Sequence, residues 1–261
     1  IESILQTING NPSAGQQVSI TISRNGDLLK NLWIQYNPSQ IATGGSTYVG
    51  SDLGHAMFSQ LEIQIGGQLI DRHYGTWLTI WRDLTITNPS GTQAGVISAT
   101  GAEPYSGQGV SANSNTPTLY NKMAYTHAAY LDSSGIPHPS TTAGAPTEAY
   151  VPMKFWFCRN PGLAIPLIAL QYHEVKFNIT FANVTDYLYS SSVTPTSNLS
   201  SVQVYADYVY LDTTERRQFA QNAHEYLIDQ LQFQPQSAPA TSIRLNFNHP
   251  VKEIIFCGQP S

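Results

Sequence analysis

The feature that most constrains this chain is a set of short segments with an apolar side chain at every second position, each followed by residues suited to a tight turn. Val18, Ile20 and Ile22 alternate with polar residues, Arg24-Asn25-Gly26-Asp27 supplies Asn-Gly turn chemistry, and Leu28 to Tyr36 resumes an extended pattern, which reads as a hairpin. Leu61, Ile63 and Ile65 repeat the arrangement, Gly66-Gly67 admits the positive φ angles of a two-residue turn, and Gln68 to His73 returns. Extended segments also fall at Val151 to Cys158, at Leu167 to Phe181, where Val175, Phe177, Ile179 and Phe181 alternate, and at Val202 to Leu211. A period of two gives each strand one apolar row to bury. With no long amphipathic helix between strands to make parallel crossovers, the sheets are expected to be antiparallel and the chain all-β.

Helical signals are brief. Tyr74, Trp77, Leu78 and Trp81 recur at i, i+3, i+4 and i+7, one face of a short helix, and burial of that aromatic face in the core is expected. Asp212-Thr213-Thr214-Glu215 fits a capping box, so a helix is expected over 213–223 as a connector between two domains. From Thr85 to Tyr150 the chain is rich in Gly, Ser, Thr, Ala and Pro, a length unusual for a compact domain's loop, and it reads as an elaborated functional loop or a partly disordered one.

A faint repeat links the two ends. Val18, Ile20 and Ile22 have counterparts about 225 residues later (243 minus 18) in Ile243, Leu245 and Phe247, and Ile8 falls opposite Phe233 at the same offset. Leu32 to Ile34 likewise resembles Ile254 to Phe256. The expected organisation is one domain over 1–212, a linker helix over 213–223, and the truncated start of a second domain over 224–261. An opening hairpin by itself would leave bare strand edges and an unfilled core, so residues 224–261 are expected to belong to a longer chain.

Charged residues make up 11% of the chain, against roughly 25% in an ordinary soluble domain, which leaves a surface of hydroxyls, amides and tyrosine rings. Such a surface packs against other protein with little cost of desolvating ions. The net charge of −5 opposes coating of nucleic acid, which draws its affinity from clustered Lys and Arg, so no direct nucleic-acid contact is expected. The two cysteines, Cys158 and Cys257, form no CxxC and suggest neither a disulfide framework nor a zinc site. No apolar run approaches the roughly 20 residues of a membrane-spanning helix, and no transmembrane segment is expected.

Chemical centres are not evident. His173-Glu174 and His224-Glu225 would need a second histidine three residues after the Glu to complete HExxH, and Phe177 and Ile228 stand there instead. In a strand, His173 and Glu174 would face opposite sides. No GxSxG, Ser/His/Asp constellation or P-loop appears, so no catalytic residue, metal or cofactor is expected. Tyr187 and Tyr189 with Tyr205, Tyr208 and Tyr210 would suit a sugar-stacking platform, although strand packing or an interface explains them more simply. Asn178, Asn183 and Asn198 head N-x-S/T sequons; Asn178 lies inside an expected strand, and Asn198 is the accessible candidate for glycosylation.

Several segments resemble the major capsid proteins of large icosahedral double-stranded DNA viruses, of the chlorella-virus and iridovirus (nucleocytoplasmic large DNA virus) kind. They are Ile1-Glu2-Ser3-Ile4 through Ile8-Asn9-Gly10, Ile22-Ser23-Arg24-Asn25-Gly26-Asp27-Leu28, and Glu62-Ile63-Gln64-Ile65-Gly66-Gly67-Gln68 with Ile70-Asp71-Arg72-His73-Tyr74. Most specific is Asn160-Pro161-Gly162-Leu163-Ala164 through Leu167-Ile168-Ala169-Leu170-Gln171-Tyr172-His173-Glu174-Val175-Lys176. Leu211-Asp212-Thr213, Glu215-Arg216 and His224-Glu225-Tyr226-Leu227-Ile228 complete the set. The resemblance implies an antiparallel jelly-roll sandwich, the first of two tandem jelly rolls per chain. It also implies a homotrimeric, pseudo-hexagonal capsomer that tiles an icosahedral shell with neighbouring capsomers, penton and minor capsid proteins. The protein is then a structural, non-enzymatic part of the virion, assembled in the infected host cell's cytoplasm. The rival from another class is a carbohydrate-binding or hydrolytic jelly roll, since the fold alone cannot name a function.

Overall fold

In the computed structural model, the alternating segments become strands that close over one core. The described residues are 1–43, 47–49, 52–85, 119–126, 130–131, 137–138, 147–190, 195–235 and 242–257. The main strands are β1 (Glu2–Gln6), β2 (Ile8–Asn9), β3 (Gln17–Thr21), β4 (Leu28–Tyr36), β5 (Phe58–Ile65), β6 (Gln68–His73), β7 (Ala149–Pro152), β8 (Ile165–Pro166), β9 (Val175–Phe181) and β10 (Gln203–Val209). One sheet runs β1-β10-β4-β7, with β8 also on β4, and the other runs β2-β3-β9-β5-β6. Every pairing among these strands is antiparallel, and neighbours come from distant parts of the chain: Glu2 faces Tyr208, Ile20 faces Phe177, and Phe177 faces Ile63 on its other side. The chain crosses repeatedly from sheet to sheet, which is the jelly-roll path.

The core is the sum of the inward rows. Val18, Ile20, Leu29, Leu32, Ile34, Leu61, Ile63, Phe177, Ile179, Phe181, Val204, Ala206 and Tyr208 are all buried, and each large apolar side chain so enclosed contributes about 1.5–3 kcal/mol. Strand β4 turns Tyr36, Ile34 and Leu32 inward at a spacing of two, then Leu29 at three. A register shift opposite Asp207 and Tyr208 of β10 absorbs the extra residue and keeps both rows on the core side.

The β5–β6 hairpin forms as expected, with Gly66 at φ +59 and Gly67 at φ +81 supplying the turn. The hairpin expected of Val18–Ile22 and Leu28–Tyr36 does not form, because β3 and β4 lie in opposite sheets. The Arg24–Asp27 link crosses between the sheets: Ile22 N donates to Val175 O on one side and Asp27 N to Val209 O on the other. Gly26 is needed there for close approach, since a Cβ at that position would lie 2.6 Å from Tyr208 Cβ. Two extended segments are shorter than the sequence pattern suggests. Trp156–Arg159 is a helical turn, and Leu167–His173 is a series of turns ahead of β9.

The helices packed around the sandwich include α1 (Leu53–Ala56), α2 (Gly75–Thr85), α3 (Leu119–Ala124), α4 (Trp156–Arg159) and α5 (Thr213–Gln221). Helix α2 presents Gly75, Leu78 and Arg82 to the interior, so the expected aromatic face is rotated and Tyr74, Trp77 and Trp81 are only half-buried. The cause is backbone proximity: a Cβ at Gly75 would meet His55 O at 2.2 Å, so the glycine side of the helix packs innermost. Helix α5 starts at the expected capping box, with Asp212 Oδ1 accepting from Thr214 N and Glu215 N at 2.8 Å each, and ends at Gln221, two residues short of the expected bound. Most of the long stretch from Thr85 to Tyr150, including 86–118, lies outside the described residues.

Candidate assembly surface

The residues singled out for chemistry are not brought together. His173 is exposed, and Glu174 pairs with Lys176 at 3.2 Å. His224 Nε2 lies 2.7 Å from Phe219 O and its ring stacks on Phe219, closing the end of α5. Among the described residues no group of three or more His, Cys, Asp or Glu side chains could hold a metal ion. Tyr187 and Tyr208 point into the core, Tyr205 bonds Gln203, Tyr210 donates to Glu2 Oε2, and the Tyr189 side chain lies outside the described residues. The sugar platform is therefore not assembled, because strand alternation sends Tyr205 and Tyr208 to opposite faces.

Of the sequon asparagines, Asn178 is buried in β9. Asn198 is half-buried with its Oδ1 accepting from Ser200 N at 3.0 Å, whereas Asn183 is exposed. The expected order of access is thus reversed, because Asn183 starts a helical turn at the surface while Asn198 sits beside Ile41 O, which accepts from its backbone N–H. Both cysteines are free, and burial pushes the Cys158 thiol up to about 12.

A polar cluster lies inside, where α1, α2 and α3 meet. His55 is fully buried, with Nδ1 3.0 Å from Thr79 Oγ1 and Nε2 2.9 Å from Tyr120 Oη. Burial, then the charges of Arg82 and Lys154, hold its pKa well below the ordinary histidine value. Arg82 reaches Asp52 at 2.6 Å and Asp83 at 2.8 Å, and also donates to Thr126 O. Burial opposes the Arg82 charge, but the two carboxylates more than offset this and raise its pKa. Lys154 lies over the Tyr120 ring. Each of these groups has a partner, so the cluster ties three helices together and presents no open reacting atom.

What the surface does present is exposed apolar area. Beyond α5, residues 222–235 and 242–257 form no strand, and Leu227, Phe233, Ile243, Leu245, Val251, Ile254 and Phe256 are exposed. The two stretches run past each other antiparallel, bridged by glutamine side chains: Gln232 bonds both Asn248 N and Asn248 O, and Gln234 bonds Asn246 N and Arg244 O. Residues 229–235 lie along the outer edge of β6. Leu231 N donates to Asp71 Oδ1 at 3.1 Å, the Gln230 side chain bonds Ile70 O, and Phe233 packs on the Tyr74 ring at 5.1 Å. On the turns that precede β9, Tyr172 is 93% exposed in a segment clamped by Arg24, which donates to Leu170 O, Gln171 O and His173 O.

Asp27 and Asp71 are buried carboxylates that sequence patterns do not single out. Their signal is faint: inward-facing carboxylates at the start and edge of strands, in a chain where charges are scarce.

A family model described as "Major capsid protein N-terminus" matches residues 1–212, and one described as "Large eukaryotic DNA virus major capsid protein" matches 215–261. The major capsid protein of Pyramimonas orientalis virus is 42% identical over 262 residues, covering 100% of this chain and 57% of that protein. That of Paramecium bursaria Chlorella virus 1 is 36% identical, covering 97% of this chain and 51% of the relative. Among solved structures, the quasi-atomic model of the PBCV-1 virus capsid aligns with a TM-score of 0.65 at 34% identity, covering 95% of this chain and 53% of that one. The chain spans about half the length of the curated relatives it matches.

Proposed function

The chain belongs to the major capsid protein family of large eukaryotic DNA viruses, and on that premise we propose that it works as a structural, non-enzymatic wall unit of the virion shell. Residues 1–212 are the first of two tandem jelly rolls, 213–223 the linker, helical as far as Gln221, and 224–261 the opening of the second. Three copies of the full-length protein form a pseudo-hexagonal capsomer, and capsomers tile an icosahedral shell with penton and minor capsid proteins after assembly in the host cytoplasm.

The observation that carries this reading is the similarity itself, which runs from the first strand through the segment beyond α5 at up to 42% identity. The geometry supports it in kind. A rigid two-sheet sandwich offers fixed faces, the His55–Arg82 cluster is internally satisfied, and many of the exposed apolar side chains lie where the chain leaves the sandwich. Shells assembled from many modest contacts can correct errors during growth and gain their stability collectively. The carbohydrate-binding alternative needs an exposed aromatic row, and two of its five tyrosines are in the core.

Light scattering on the full-length protein tests the reading. A mass three times that of the chain, with hexagonal particles in electron micrographs, is the expected result. A monomer at all concentrations that binds oligosaccharides would overturn it.

A further inference from the structure

Helix α5 has no buried residue, so apolar burial does not hold it to the sandwich, yet its path is fixed at its root. The fixing group is Asp27, in the link between β3 and β4. Its Oδ2 accepts from Leu211 N at 2.8 Å, where the chain leaves β10, and from Arg216 Nη2 at 3.0 Å, within the first turns of α5. Asp27 is itself anchored on both sides, its N–H donating to Val209 O and its carbonyl accepting from Ile168 N. Twenty residues after Leu211 the device recurs: Asp71, buried in β6 with His73 Nε2 3.0 Å from its Oδ2, accepts from Leu231 N through Oδ1. In both places a carboxylate enclosed by the sandwich takes a main-chain N–H of the segment that leaves it.

A buried carboxylate is a costly way to stabilise a core, since an apolar residue of similar size does as well without desolvating a charge. What a carboxylate offers is direction, because it accepts charge-assisted hydrogen bonds at set angles and about twice the strength of neutral ones. In a chain with only 17 Asp and Glu residues in 261, two such groups both aimed at the departing segment point to a shared purpose. Between the two anchors the segment is mostly exposed; its other ties to the sandwich include the half-buried Ile228, the Arg159–Asp229 pair at 3.8 Å, the Gln230 side chain on Ile70 O and the Tyr74–Phe233 contact.

We propose that Asp27 and Asp71 are a two-point staple that fixes residues 211–233 on the sandwich and so sets the direction in which the rest of the chain continues. The staple is a property of this chain's own geometry; its consequence for shell building rests on the capsid reading.

Hydrogen exchange on the full-length protein tests it. In D27A the amides of 211–221, and in D71A those of 229–233, are expected to exchange about tenfold faster or more, while β3, β5 and β9 keep their protection. D27N keeps an acceptor for Leu211 N but loses the charge, and falls between. If replacing either buried carboxylate loosens the whole sandwich, R216M decides for the first anchor: Arg216 is half exposed, and its loss is expected to speed exchange over 211–216 alone. Exchange unchanged in both segments overturns the staple, as does wild-type exchange there at the rate of an unstructured peptide. Assembly separates the two claims. Variants that keep the trimer but lose ordered particles support the staple's role in the shell. A wild-type protein that never trimerises overturns the capsid reading and leaves the staple to be judged by exchange.

Discussion

His55 shows how much one enclosed side chain can set the response to acid. Both its ring nitrogens are within hydrogen-bond reach of hydroxyls from other elements, and burial with Arg82 and Lys154 nearby keeps it neutral. In the unfolded chain it takes a proton near about pH 6.5, so below that value the unfolded state binds more protons and stability falls with pH. The melting temperature of wild type is therefore expected to drop more steeply than that of H55Q between about pH 7 and pH 5. Parallel curves in thermal unfolding would remove His55 as the source. Gly54 makes a sterically sharper case: a Cβ there would sit 2.0 Å from Ala124 O, a backbone atom that cannot rotate away. G54A is expected to cost roughly 3 kcal/mol or more in chemical denaturation, whereas Y172A, whose ring is almost wholly in solvent, is expected to stay within about 0.5 kcal/mol of wild type. Residue type alone discloses none of the three outcomes, because each depends on what the fold places around that side chain.

At the scale of elements, the legible signals are local ones. Gly66-Gly67 and the box from Asp212 to Glu215 specify their own geometry within four residues, and both stand in the structure where the sequence places them. Replacing Asp212 by Ala is expected to remove about 1 kcal/mol from α5, seen as faster amide exchange over 213–221 with little change in the melting temperature, since the helix buries nothing. Signals that depend on partners far along the chain mislead. Asn25-Gly26 carries hairpin chemistry, but β3 pairs with β9 and β4 with β10 in opposite sheets, and Gly26 serves the contact with Tyr208. The spacing of Trp77 and Trp81 correctly marks a helix, yet spacing cannot say which of two adjacent faces turns inward. Arg159 over the Trp81 ring and Gly75 against His55 O decide that. The candidate surface is less legible still: sequence alternation identifies buried rows, and the carboxylates that matter are inside them.

For the molecule as a whole, the exposed Leu227, Ile243, Val251, Ile254 and Phe256 form a reservoir of apolar surface that the described sandwich does not cover. The 261-residue chain is expected to bind an apolar fluorescent dye strongly, and a chain extended to the length of its capsid relatives to bind it less. Equal dye binding by the two would mean that the added length leaves this surface open. The order of strands carries a further consequence for synthesis. Strand β1 pairs with β10, so Glu2 waits for Tyr208, and the β1 margin of its sheet cannot close until roughly 200 residues have been made. At about 5–20 residues per second, the amino-terminal strand spends roughly 10–40 s outside the ribosome without its neighbour. During that interval the edge that β1 will later share with β10 is open, so the recovery of folded chain is expected to depend on the rate of synthesis as well as on the strength of the finished fold.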